Sequence, residues 1–531
     1  MWKLTKEAFV RQGLNAESAE PIGFVKGGAL SVGAFGRPDI SQLKRKSVRG
    51  GLAILTAQVL KFGLQTGSTM ILARLLSPRD FGLQGMVVAM IGFLALFKEA
   101  GLGTATVQRD EITQEQLSTL FWINVGVGAG LAILAASLSP ALVLFFHEPR
   151  LYWVTIVSAT AFVFSGMGAQ HGALLQRSMR YTSIAKIDLL SLALSSALAV
   201  IMAARGWGYW ALIAMAVSSS LISAVGSWIA MPWLPGKPVR RCGIRSMLHF
   251  GGTVTCNSLV VYLGYNAEKI LLARSWGAAA LGVYGRAYQL LNLPLQQLYS
   301  SMYTVTFSGL ARIQNDPERL RRSFLKGYSV LLSLTIPVTL ASALFADEII
   351  RIVLGPKWIE AVPILRLLTP TVLAFAVLNP FGWFLFATGR AGRSLKMALV
   401  IAPTVVLGII AGLHQGPKGV ATGYSTAMTL LILPLIAWAI HGTGITMRAF
   451  WQATKRPCLA GLVAIAVGFV FKTSLGSILT PLSCLVFGLS VVGFTYAFML
   501  LIILKQKETY MELVDQILKR VRPEQEAIKS H

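Results

Sequence analysis

From Gly51 to Leu504 the sequence is a succession of apolar stretches of membrane-crossing length, parted by short polar breaks. A bilayer core takes about 20 predominantly apolar residues as a helix. Such runs fall at 51–76, 81–104, 117–146, 151–175, 184–204 and 208–231, and then at 249–275, 281–309, 324–346, 360–388, 394–413, 417–440, 457–473 and 478–504. They predict an all-α polytopic membrane protein with about fourteen transmembrane helices, the short run 457–473 leaving twelve or thirteen open. Composition agrees: 54% of the 531 residues are hydrophobic and 13% charged, against about 45–50% and about 25% in soluble domains. A water-soluble enzyme is excluded.

Lys and Arg number 48 against 22 Asp and Glu, a formal charge of +26. In a soluble chain that would suggest nucleic acid. In a membrane protein, cationic residues gather in cytoplasmic loops, and the breaks here alternate as that rule requires. One set carries Arg177, Arg180 and Lys186; Lys237, Arg240, Arg241 and Arg245; Arg312, Arg319, Arg321, Arg322 and Lys326; Arg390, Arg393 and Lys396; Arg448, Lys455 and Arg456; Lys505 and Lys507. The other holds only Arg79, Arg150, Arg205, Arg351, Lys357, Lys418 and Lys472, with Arg74 and Arg274 at helix ends. Both termini are therefore expected in the cytoplasm, with no nucleic-acid partner. Residues 1–47 read as a retained cytoplasmic extension, since no signal-peptide core precedes Gly51. Residues 505–531 read either as an interfacial amphipathic helix or as a solvated tail. The four cysteines are far apart and frame neither a disulfide scaffold nor a zinc site.

The chain also repeats itself. Leu72-Ala73-Arg74 with Gly82-Leu83 is echoed 200 positions later by Leu272-Ala273-Arg274 with Gly282-Val283. Residues 142–149 (LVLFFHEP) are echoed by 349–356 (IIRIVLGP), and Gly206 by Gly416. The interval is six spans, an even number, so the copies share one orientation, the mark of parallel repeats about an axis along the membrane normal. The expected organisation is a first lobe at 48–231, a basic linker at 232–248, a second lobe at 249–441, two further helices at 442–504 and the tail.

Charged groups within spans are functional-site candidates. In the first span Gln58, Lys61, Gln65 and Ser68 recur every three or four residues, forming one polar stripe. Lys61 lies about 15 Å into the helix; the alternative is a lysine that snorkels to the near interface. The seventh span carries Asn257, Tyr262, Tyr265, Asn266, Glu268 and Lys269, and the eighth Arg286, Gln289, Gln296 and Ser300. These are expected to line a central cavity, in competition with a hydrogen-bond network that only joins helices. Within them, Lys61 and Arg286 are the expected cation pair, with Gln58, Gln65, Asn257, Asn266 and Gln289 as polar lining. Adjacent helix positions point about 100° apart, so Glu268 and Lys269 cannot both face one partner; the two are the candidates for ion coupling, with Glu268 as the ionisable group, or else Glu268 is a permanent partner of Arg286. Lys98 with Glu99, and Lys186 with Asp188, read as interfacial. The glycines at 126, 128 and 130 read as a helix-packing surface. The six scattered histidines make no metal-ligand spacing, no Walker A sequence occurs, and no cofactor is expected.

LARLLSPRDFGLQG at 72–85 and GLGTATVQRDEITQEQLSTLFWINV at 101–125, with LLARSWGAAALGVYGRAYQLLNLP at 271–294, ARIQNDPERLRR at 311–322 and LGPKWIEAVPILRLL at 354–368, resemble the Wzx-type polysaccharide exporters. These form a branch of the multidrug/oligosaccharidyl-lipid/polysaccharide superfamily. The resemblance covers roughly residues 45–440 and leaves 1–44 outside it. It implies a V of two six-helix lobes in the bacterial inner membrane, flipping undecaprenyl-diphosphate-linked oligosaccharide units for exopolysaccharide synthesis. Its implied partners are that lipid-linked substrate, membrane lipids, a proton or sodium ion, and the polymerase and export machinery. Two other readings stay open: a small-molecule antiporter of the same superfamily, for which a basic cavity suits cationic drugs poorly, and a membrane polymerase or ligase, for which the outward loops are short.

Overall fold

The computed structural model describes residues 29–30, 40–98, 106–107, 112–239, 245–313, 316–476, 478–506 and 510. Nearly all of them are helical. The order is α1 (Ile40–Leu75), α2 (Pro78–Lys98), α3 (Gln114–Ser137), α4 (Ser139–Phe146), α5 (Leu151–Arg177), α6 (Tyr181–Ala204), α7 (Trp210–Ala230) and α8 (Arg245–Arg312), followed by α9 (Pro317–Leu344), α10 (Ala346–Val353), α11 (Ala361–Ala387), α12 (Ala391–Gly412), α13 (Gly416–Ile440), α14 (Met447–Leu475) and α15 (Pro481–Phe498). A two-residue pairing of Ala29–Leu30 with Ile112–Thr113 adds a short antiparallel bridge. The described part of each apolar run is helix. Nine segments among the described residues are long and apolar enough to cross a membrane, one of them, 392–440, holding α12 and α13 together. The protein is an all-α polytopic membrane protein.

Local chemistry sets the helix ends. The Thr113 hydroxyl accepts from the Gln116 amide while the Gln116 side chain accepts from the Thr113 amide, a reciprocal cap that starts α3. Asp316 caps α9 ahead of Pro317, and Thr480 caps α15 ahead of Pro481, proline being suited to a position whose amide has no helical partner. Inside α8, Gly277 takes φ 76°, which L side chains rarely adopt. It divides α8 into two arms and accounts for the break between the seventh and eighth runs.

The helices pack as two groups. In the first, α3 lies on α5, α5 and α6 on α7, and α1 on α6; in the second, α13 packs with α11 and α12, and α11 with α8 and α9. The most extensive contact in the molecule joins the groups, α2 against α8. The last pair, α14 and α15, docks on α9 and α10. There Gly461, Gly468 and Gly488 admit Ile336, Leu344 and Phe345, and Lys472 pairs with the buried Glu348 at 2.7 Å.

Helix α1 begins at Ile40 and runs without a break through residue 47 into the first apolar run. One expectation is corrected. Of the three glycines in the cluster, only Gly128 meets a neighbour, the Phe162 carbonyl beside Gly166 on α5; Gly126 and Gly130 face open space. The described part of the basic linker is bonded to α3. The Gly236 amide donates to Ser118 Oγ at 2.9 Å, the Val239 amide to Thr119 Oγ1 at 3.0 Å and Trp122 Nε1 to the Gly236 carbonyl at 2.9 Å. Buried Trp233 donates to Gln114 Oε1 at 2.7 Å, strapping 233–239 along the first turns of α3. The expected amphipathic tail lies outside the described residues, save 505, 506 and 510.

Candidate binding cavity

Where the two groups meet, helices α1, α2 and α8 enclose a cavity of about 330 Å³ lined by Gln65, Phe81, Gln84, Gly85, Val88, Lys269, Leu281, Gly282, Gly285, Arg286, Tyr288, Gln289, Asn292, Leu293 and Gln296. Helical spacing explains the set: 81, 84, 85 and 88 recur at one face of α2, and 282, 285, 286, 289, 292, 293 and 296 at one face of the second arm of α8. Among the described residues two cations and five side-chain amides line it, and no carboxylate does. Arg286 lies with its guanidinium carbon 4.3 Å from the centre of the Phe81 ring, within the range of a cation–π contact. Lys269 Nζ donates to Asn266 Oδ1 at 2.8 Å, and Asn266 in turn donates to the Tyr262 carbonyl at 3.0 Å. Arg and Lys at a helix centre cost roughly 2.5–3.5 kcal/mol even on insertion scales. Their presence together on one polar wall suits an anionic ligand.

One end of the cavity is shut, and the shutter is built from the sequence repeat. A side-chain carbon on Gly82 would run into the Ala278 carbonyl, and one on Gly282 into the Pro78 carbonyl; the two equivalent glycines let α2 and the second arm of α8 cross backbone to backbone. The last turn of α1 is then gripped from the second group. Trp358 Nε1 donates to the Ala73 carbonyl at 2.8 Å, Lys357 Nζ to the Arg74 carbonyl at 3.2 Å, and Arg74 Nη2 to the Ile352 carbonyl at 2.8 Å. The repeat partner of Arg74, Arg274, reaches the other way and sits 5.7 Å from the Phe145 ring. Phe145 and Ile352 are equivalent positions in the echo of 142–149 by 349–356.

Of the residues expected from sequence, Gln65, Lys269, Arg286, Gln289 and Gln296 line the cavity. Lys61 does not. It pairs with Asp188 of α6 at 3.1 Å, both side chains about half exposed, so it has an acidic partner outside the cavity. The stripe on α1 therefore splits, since Gln65 reaches the cavity while Gln58 and Lys61 are absent from its lining. Asn266 acts through Lys269 rather than in the wall. The side chains of Asn257, Tyr265 and Lys98, and all of Glu99, lie outside the described residues. Glu268 is also corrected: it is 1% exposed, behind the wall, with Oε1 4.0 Å from Lys269 and Oε2 without a hydrogen-bond partner. Its ion-pair partner is thus Lys269 and not Arg286. Two of the lining amides, Gln84 and Asn292, escape the sequence reading. Asn292 follows from the spacing, being three residues past Gln289, whereas Gln84 requires knowing which face of α2 turns inward.

Residues 71–363, more than half of the chain, match the family described as polysaccharide biosynthesis protein. The chain belongs to that family. The Wzx-type resemblance is thereby met, and the relatives extend it. Lipopolysaccharide biosynthesis protein WzxC of Escherichia coli (strain K12) is 28% identical over 450 residues, 82% of this chain and 90% of the relative. Succinoglycan biosynthesis transport protein ExoT of Rhizobium meliloti (strain 1021) is 22% identical over 459 residues, 86% and 92% of the two chains. Among solved structures, Lipid II flippase MurJ in an inward closed conformation superposes with a TM-score of 0.69 at 14% identity, covering 88% of this chain and 100% of that one. At that identity the likeness shows a shared fold, that of an all-α multi-pass membrane protein.

Proposed function

We propose that this member of the polysaccharide biosynthesis family is a flippase that carries an undecaprenyl-diphosphate-linked oligosaccharide across the bacterial inner membrane by alternating access of its two lobes. The observation that carries the reading is the cavity wall: Arg286 and Lys269 beside Gln65, Gln84, Gln289, Asn292 and Gln296, with no carboxylate among the described lining residues. Guanidinium and ammonium groups suit the diphosphate, and amides suit sugar hydroxyls. A cavity without acids disfavours the cationic-drug antiporter, and a wall without a nucleophile and base pair disfavours the polymerase or ligase. The alternation of basic loops puts the shut end, with Arg74 and Trp358, on the periplasmic side, and both termini in the cytoplasm. Reporter fusions at Pro238 and Gly355 are expected to read cytoplasmic and periplasmic respectively.

The decisive experiment is polymer export by cells carrying Arg286→Ala or Lys269→Ala at normal membrane abundance. Each variant is expected to lose at least about tenfold in export, one lost charge-assisted contact being worth roughly 1.5–3 kcal/mol. Full export by both removes the cavity from the mechanism. In the same reading, Glu268 couples transport to an ion. Protonation of its buried, half-unpartnered carboxylate frees Lys269 for the substrate, and deprotonation draws the ammonium back. Glu268→Gln is expected to abolish the dependence of vesicle transport on an imposed proton gradient; unchanged dependence would make the residue structural.

A further inference from the structure

Phe81 belongs to the first lobe yet is held between two residues of the second. Arg286 lies over its face at 4.3 Å, and the Trp358 ring meets it edge to face at 5.3 Å and 68°. Phe81 is 4% exposed and Trp358 fully buried. Trp358 in turn holds the last turn of α1 through its bond to the Ala73 carbonyl. One unbroken line of contacts therefore runs from the cation in the cavity to the clasp at the shut end.

We infer that Phe81 is a positioning residue that makes opening of the shut end conditional on the diphosphate, by competing with it for Arg286. This rests on the diphosphate reading of the cavity. The guanidinium lies on the ring face, and the ring is wedged against Trp358. A diphosphate offers charge-assisted, bidentate hydrogen bonds, which are stronger than a ring face. Arg286 moves to the anion, the wedge loses one of its two supports, and the clasp loosens. A ligand shifts a conformational equilibrium only by binding one state better than the other; here the difference is the availability of Arg286. Linkage is reciprocal, so the shut end must weaken diphosphate binding, and removing the ring must strengthen it. A ring that served packing alone would do the opposite.

The test uses the full chain in nanodiscs with undecaprenyl diphosphate as the probe. Spin labels replace Arg205 and Lys418, which are exposed and lie beside the turns where Gly208 meets Asp80 and Gly416 meets Trp276. For Phe81→Leu, affinity is expected to rise by about threefold to tenfold, the range set by a cation–π contact, and the label distance to lengthen without ligand. Phe81→Trp, which keeps a ring under Arg286, is expected to bind no tighter than the natural protein and to lengthen only when ligand is added. Weaker or equal binding by Phe81→Leu with an unchanged distance overturns the inference while leaving the cavity reading intact. No binding by the natural protein overturns both.

Discussion

The two copies of the repeated segment share a backbone frame and divide the chemistry between them. At 200-residue spacing, Lys269 of the second lobe stands where the first has Thr69, Arg286 where it has Met86, and Glu268 where it has Ser68. Thr69 and Ser68 spend their hydroxyls on helix carbonyls one turn back, and Met86 is buried. The second lobe thus supplies all of the cavity's charge. The first supplies Gln65, Gln84 and the Phe81 ring. The clasps differ as well: the end of α1 is held by Trp358 of the opposite lobe, whereas Trp276, at the end of the first arm of α8, bonds to the Leu413 carbonyl of its own lobe at 2.8 Å. In the proposed function, symmetry of the frame is what would let the lobes rock against one another, and asymmetry of the side chains what would place an anionic headgroup on one of them.

The sharpest way to break this comparison is at the crossing itself. Gly82→Val and Gly282→Val both drive side-chain carbons into an opposing carbonyl, and each is expected to destabilise the shut form by about 3 kcal/mol or more. Thermal unfolding and export should suffer about equally in the two; tolerance of one alone would show that the frame is not symmetric there. The clasps come next. Trp358→Phe leaves the Ala73 carbonyl buried and unpaired, an expected loss of about 1–3 kcal/mol. Trp276, half exposed, should lose roughly 0.5 kcal/mol as Trp276→Phe, since water replaces its bond. Equal losses would make both clasps structural. The smallest effect is expected away from the repeat, where a double-mutant cycle on Lys61→Ala and Asp188→Ala should return no more than about 0.5 kcal/mol for an exposed pair. Export is expected to continue; abolished export in Lys61→Ala would return that lysine to the transport path.

The order of the helices, the repeat and half of the cavity are legible in the sequence because they depend on local quantities. Apolar run length gives the helices, and i, i+3, i+4 spacing from Arg286 reaches Gln289, Asn292 and Gln296 in turn. Lys61 is misleading in the sequence because its partner, Asp188, is 127 positions away. Nothing in either helix's own pattern says that α1 packs on α6. Glu268 misleads for a related reason: the 100° step between neighbours shows that it and Lys269 diverge, and only the packing of α8 against α2 decides which of them meets the cavity. The echo of 142–149 by 349–356 is visible as a repeat, yet that its members receive Arg274 and Arg74 from opposite lobes is a fact of assembly.

The strap along α3 sets a limit on how far the machine can travel. Because 233–239 is bonded to the first lobe, the covalent link from there to α8 is the chain from Val239 to Arg245. Six peptide units span at most about 21 Å. That is a short leash: if the lobes part as the proposed function requires, covalent reach caps the gape at that end of the molecule. Under that proposal a flippase so tethered would admit bulky cargo by sideways entry from the bilayer more readily than by wide separation of its halves, and lengthening the leash is a direct way to retune the opening.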